Sequence, residues 1–64
     1  MRILLVNEFT DQTEVAEVAS LSPLRVRWHN VLYSCDDHGR LDVGGWVIAT
    51  QDLQIIRKVS RRAL

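Results

Sequence analysis

Hydrophobic and polar residues alternate most regularly in the middle of the chain. Leu24, Val26 and Trp28 are separated by Arg25 and Arg27, and residues two apart share one face of a strand. This spacing predicts a half-buried strand over Leu24–Trp28 with a basic outer face. His29-Asn30 reads either as a tight turn, the preferred reading because asparagine tolerates positive φ, or as a bulge that lets one bent strand continue into Val31-Leu32-Tyr33. The stretch from Val31 to Thr50 then organises the chain as two or three short strands, broken at Asp36-Asp37-His38-Gly39 and at Gly44-Gly45. Within it, Val31–Tyr33, Arg40–Val43 and Trp46–Ala49 read as strands, with Leu41 and Val43 pointing inward. Near the start, Arg2–Val6 is rich in aliphatic residues, which predicts a strand buried on both faces and central in a sheet.

Two segments are read against a competing period. Asp11 followed three residues later by Glu14 has the form of a capping box, and Val15, Val18 and Ala19 recur at helical spacing. Together they predict a short helix from Asp11 to Ser20, closed off by Ser22-Pro23. After Thr50, a helix would gather Leu53, Ile55, Ile56, Val59 and Ala63 on one side, with Asp52 early and the basic residues late, as a helix dipole prefers. A strand over Gln54–Val59 is the preferred reading, because a thin sheet needs another strand more than a second helix. In that reading one of the adjacent pair Ile55-Ile56 faces away from the core. The order strand, Thr50-Gln51-Asp52-Leu53 turn, then β-branched strand is similar to the closing end of SH3-like small barrels, over Trp46 to Ile56 only. The expected fold is therefore α+β: a small antiparallel sheet of four to five strands, with the SH3-like small-barrel character that this resemblance implies, and one short N-terminal helix.

Length and composition bound what such a fold can do. The 64 residues make a single domain, which buries only about 60% of the surface of its unfolded chain. The apolar run Ile3–Val6 is too short for a membrane span or a secretory leader, and the sole cysteine, Cys35, cannot form an internal disulfide. A cytoplasmic location without membrane association is expected. Eight basic residues balance eight acidic ones, unlike the basic excess of chains built to coat nucleic acid. The charge is nevertheless segregated: Glu8, Asp11, Glu14 and Glu17 form an acidic stretch, and Arg57, Lys58, Arg61 and Arg62 a basic one.

Candidate chemistry is sparse. Cys35 and His38 form one close-spaced couple beside Asp36 and Asp37, with His29 and Asp42 nearby, but a structural zinc site takes four ligands, usually as two such couples. A nucleophilic Cys35 needs a histidine base and an orienting carboxylate within reach, and a domain this small has little room for a shielded pocket. Neither a metal, a cofactor nor catalysis is expected. The first functional expectation is a non-enzymatic protein-interaction module, an inhibitor or adaptor of the kind phage and mobile elements encode, an origin inferred from size alone. Its contact residues are the exposed isoleucine, taken as Ile56, and the acidic Glu8, Asp11, Glu14 and Glu17; a protein partner or a homodimer would cover them. The alternatives are a nucleic-acid-binding small barrel using Arg25, Arg27, Arg57, Lys58, Arg61 and Arg62, and minor metal or thiol chemistry at Cys35.

Overall fold

A computed structural model describes the backbone of residues 1–62 and the side chains of residues 1–61. Five strands form one antiparallel sheet: β1 (Arg2–Asn7), β2 (Thr13–Leu21), β3 (Leu24–Trp28), β4 (Val31–Ser34) and β5 (Trp46–Ile48), in spatial order β4-β3-β2-β1-β5. A helix, α1 (Thr50–Arg62), follows. The fold is thus a small α+β unit, and its sheet is curled into a half barrel. The bend continues past the last strands: Cys35 bridges Leu41 and Arg40 bridges Val47, so a short segment links the two outer edges at one end. Gly39, at φ +79°, sits where a Cβ would crowd Leu53 and Ile48, and its carbonyl accepts the Ile48 N–H at 2.9 Å.

Alternation decides which residues fill the curl. Ile3 faces Ala16 and Val18 faces Val26 across their ladders, and the concave side collects Ile3, Leu5, Ala16, Val26 and Ile48. Leu53 and Ile56 of α1 complete this core, so the helix covers the concave face. The outer face carries Arg2, Leu4, Val15, Glu17, Arg25 and Arg27.

The expected N-terminal helix is replaced by β2. Asp11 takes a left-handed φ of 60°, whereas an N-cap residue needs an extended one. The capping-box pattern is therefore part of a turn. In the strand that follows, Val15 and Val18 lie on opposite faces, and Val15 is exposed. Being β-branched, Thr13, Val15 and Val18 suit the central strand they form. Conversely, the segment expected as a closing strand, Gln54–Val59, is helical. A half-barrel sheet has one face to fill, and an amphipathic helix fills it where another strand would only extend the edge. The part of the chain similar to SH3-like barrels thus diverges from them after Ile48. Ile56 is the buried isoleucine at 3% exposure and Ile55 the exposed one at 46%, so the expectation of an exposed Ile56 available for contact is corrected: Ile56 belongs to the core. Ala63 lies outside the described residues. β1 is central as expected, though only one of its faces is buried, and Arg40–Val43 contributes isolated bridges rather than a full strand.

The turn from β5 into α1 takes a single residue. Ala49 donates its N–H to the Leu4 carbonyl, but its own carbonyl accepts the Leu53 N–H and opens the helix. The Leu4 N–H, deprived of a strand acceptor, is taken by Asp52 Oδ2 at 2.7 Å. The helix is thereby held against the half of β1 that β5 leaves unpaired, which protects that edge. The opposite burial of the two isoleucines predicts opposite sensitivity. Ile56→Ala should lower the unfolding free energy by about 2–4 kcal/mol, and Ile55→Ala by less than about 0.5 kcal/mol. Urea denaturation of both variants measures the difference, and equal losses would contradict this placement of the helix.

Candidate protein-interaction site

The most ordered polar construction in the molecule lies at the end of β1. Asn7 is the one buried polar side chain among the described residues, at 7% exposure. Its Oδ1 accepts the N–H groups of Phe9 and Thr10 at 2.9 and 3.2 Å, and its Nδ2 donates to the Gly44 carbonyl at 3.1 Å. The Asn7 backbone donates to Gln12 and accepts from Asp11, and the Glu8 N–H reaches the Gly45 carbonyl. One amide thus ties the β1–β2 turn to the turn before β5. Asparagine suits the position, because it supplies an acceptor and a donor from one short planar group.

That frame presents Phe9. Its ring is 80% exposed, the most open large hydrophobic among the described residues. It rests on Gly45, whose φ is +79° and where a Cβ would run into the ring. An aromatic ring left in water on a hydrogen-bonded turn loses little further entropy on binding, which is the property of a preorganised anchor. Its neighbours are polar and mostly acidic: Glu8, ion-paired with Arg40 at 2.8 Å, and the exposed Asp11. Periodicity is blind to such a residue; the available signal was a lone aromatic between Glu8 and Thr10 in a polar turn.

A second feature is an open hollow of about 580 Å³ lined by Arg2, Val15, Glu17 and Arg27 on the outer face and by Trp28, His29 and Asn30 at the end of β3. The strand register sets Glu17 directly between Arg2 and Arg27, and Val15 opposite Leu4. Val15 is 62% exposed. His29 Nε2 stands 3.3 Å from Glu14 Oε1.

The remaining expected residues are dispersed. Glu14 and Glu17, three apart on a strand, point to opposite faces, so the acidic stretch is not one surface. Arg25 and Arg27 lie on the outer face, while Arg57, Lys58 and Arg61 belong to the helix that covers the inner one. The two basic clusters are therefore separated by the sheet, and the Arg62 side chain lies outside those described. Trp28 points inward, away from the arginines, and stacks with Trp46, His29 and Tyr33 at ring separations of 4.9, 4.7 and 5.9 Å. Its Nε1 is buried and finds no acceptor among the described residues.

At Cys35, burial and the adjacent Asp36 carboxylate push the thiol up to about 11. Asp36 is held below its ordinary range by the Arg40 and His38 N–H groups that its Oδ1 accepts, each at 2.9 Å. No group of three or more His, Cys, Asp or Glu side chains gathers at metal-binding distance among the described residues. Compared with protein-family models, curated proteins and solved structures, the chain shows no match to any of them.

Two outcomes follow from this geometry. Asn7→Ala should cost about 3 kcal/mol of stability, roughly 1 kcal/mol for each lost side-chain hydrogen bond. Asn7→Asp, which keeps the acceptor for Phe9 and Thr10 but sets a carboxylate against the Gly44 carbonyl, should retain only part of the loss-free state; denaturant titration of both variants ranks them. The folded state favours the protonated Cys35 thiol, so its contribution to stability is complete below the ordinary thiol range near 8.5 and is lost as pH rises through about 11. Alkylation by iodoacetamide should accordingly be slow in the native protein at about pH 8 and fast at the same pH in urea, because the thiolate is the nucleophile.

Proposed function

We propose that the chain is a small non-enzymatic protein-interaction module whose contact element is the Phe9 turn. The observation that carries this reading is an exposed aromatic side chain on a turn that a buried amide holds in place. Interface hot spots are enriched in rigid anchors that fill a partner's pocket, surrounded by contacts that exclude water. Phe9 has this form, and Asp11, Gln12 and the Glu8–Arg40 pair supply a polar rim. A half-barrel scaffold suits the role, because its strands fix the ends of the turn and Asn7 holds its tip, with the Phe9 ring open to a partner.

The chemistry elsewhere supports binding over catalysis. The Cys35 thiol is held protonated at neutral pH, and the ion pair of His29 with Glu14 lies at the β3–β4 turn, whereas Cys35 follows β4 at its other end. Action as an inhibitor or adaptor, expected from the sequence, requires no more than such an anchor and a partner with an apolar socket.

Photocrosslinking in the source cells tests the reading, with a benzophenone amino acid placed at position 9 and, as a control, at the exposed Gln54. A discrete adduct from position 9, with another protein or with a second copy of the chain, is the expected result. No adduct at position 9, or the same adduct from both positions, would refute the assignment of Phe9 as the contact.

A further inference from the structure

We propose that the Phe9 turn and the outer-face hollow are two halves of one contact, through which the chain pairs with a second copy of itself. Each copy seats its Phe9 over Val15 in the hollow of the other. The inference rests on the reading of Phe9 as a docking element and adds the identity of the partner.

Phe9 and Val15 are the two most exposed large hydrophobics among the described residues. One stands on a turn and the other on the outer face of the sheet, and both are open to water. Leu4, opposite Val15 in the β1–β2 register, is also exposed and adds apolar surface beside it. A sheet normally keeps its water-facing side polar, and the helix here covers the other side. The apolar part of the outer face is thus left for a partner.

Charge points the same way. Beside Phe9, Glu8 is neutralised by its pair with Arg40, and the exposed Asp11 is left as the negative charge of the turn. At the hollow, Arg2 and Arg27 flank Glu17, and Glu14 is held at His29. Asp11 of one copy can approach Arg2 and Arg27 of the other, where opposite potentials steer encounter and fix register.

The contact also closes on itself. Val15 is two residues beyond the start of the strand that leaves the Phe9 turn, so anchor and hollow lie toward the same end of one molecule. A two-fold axis between them makes both contacts at once and yields a closed, isologous dimer rather than an open chain.

Sedimentation velocity on the full chain, from micromolar to hundreds of micromolar, tests the proposal. The wild-type protein should form a dimer that weakens with added salt. Phe9→Ala and Val15→Glu should each be monomeric while keeping the wild-type circular dichroism spectrum, since both side chains are exposed. An equimolar mixture of the two variants should regain a weaker dimer, because one intact Phe9 then meets one intact hollow. A wild-type monomer throughout, a dimer that survives either substitution, or a mixture that stays monomeric would overturn self-pairing. If the wild-type protein is monomeric yet position 9 still crosslinks to another protein, Phe9 remains the contact and only the second copy is rejected. If it dimerises independently of Phe9 and position 9 gives no adduct, both readings fall.

Discussion

One buried amide sets the geometry on which the Phe9 end of the molecule depends. Asn7 occupies a core position at the end of β1, opposite Trp46 of β5, where an unpartnered polar group would cost several kcal/mol relative to water. It is tolerated because each side-chain polar atom finds a partner. Those partners lie on two different turns. Satisfying Asn7 therefore brings the β1–β2 turn and the glycine turn together, and Gly45 leaves the space in which the Phe9 ring lies. Folding energy and surface display are coupled at this residue.

A second constraint acts at the other end of β1. The chain must pass from β5 into a helix without leaving a strand amide bare, and Asp52 supplies the acceptor that Ala49 has surrendered to the helix. The helix can then cover the concave face at once, without a long connection. In a chain this short that economy has a consequence for the surface. The single helix is spent on one side of the sheet, and Leu4 and Val15 remain in water on the other. Phe9 on its turn and Leu4 and Val15 on the outer face are thus left in water, because α1 covers the concave side alone.

The parts of the fold legible in the sequence were those in which local chemistry and tertiary environment agree. Leu24–Trp28 alternates and is a strand; His29 and Asn30 take the positive φ expected of their turn; Leu41 and Val43 pack against the core. The misread parts are those in which tertiary contacts override a local pattern. Val15 and Val18 match a helical period, yet β1 and β3 on either side hold them in a sheet. Ile55 and Ile56 fit either period, and what decides between them is the empty concave face, which no local window contains. The Phe9 turn was least legible of all. Acidic and basic runs draw attention in a sequence, but β2 sets Glu14 and Glu17 on opposite faces and the sheet separates Arg25 and Arg27 from the basic residues of α1, whereas Phe9 owes its setting to an asparagine two residues earlier and a glycine far along the chain.

The central claim is that Asn7 holds Phe9 as a rigid anchor before any partner arrives. Backbone amide relaxation of the free protein tests it most directly. The Phe9 and Thr10 amides should show order parameters of about 0.85, equal to those of the flanking strands, and these should fall in the Asn7→Ala variant. Values below about 0.6 at Phe9 and Thr10 in the wild-type protein, with the strands rigid, would show a mobile turn and contradict the account.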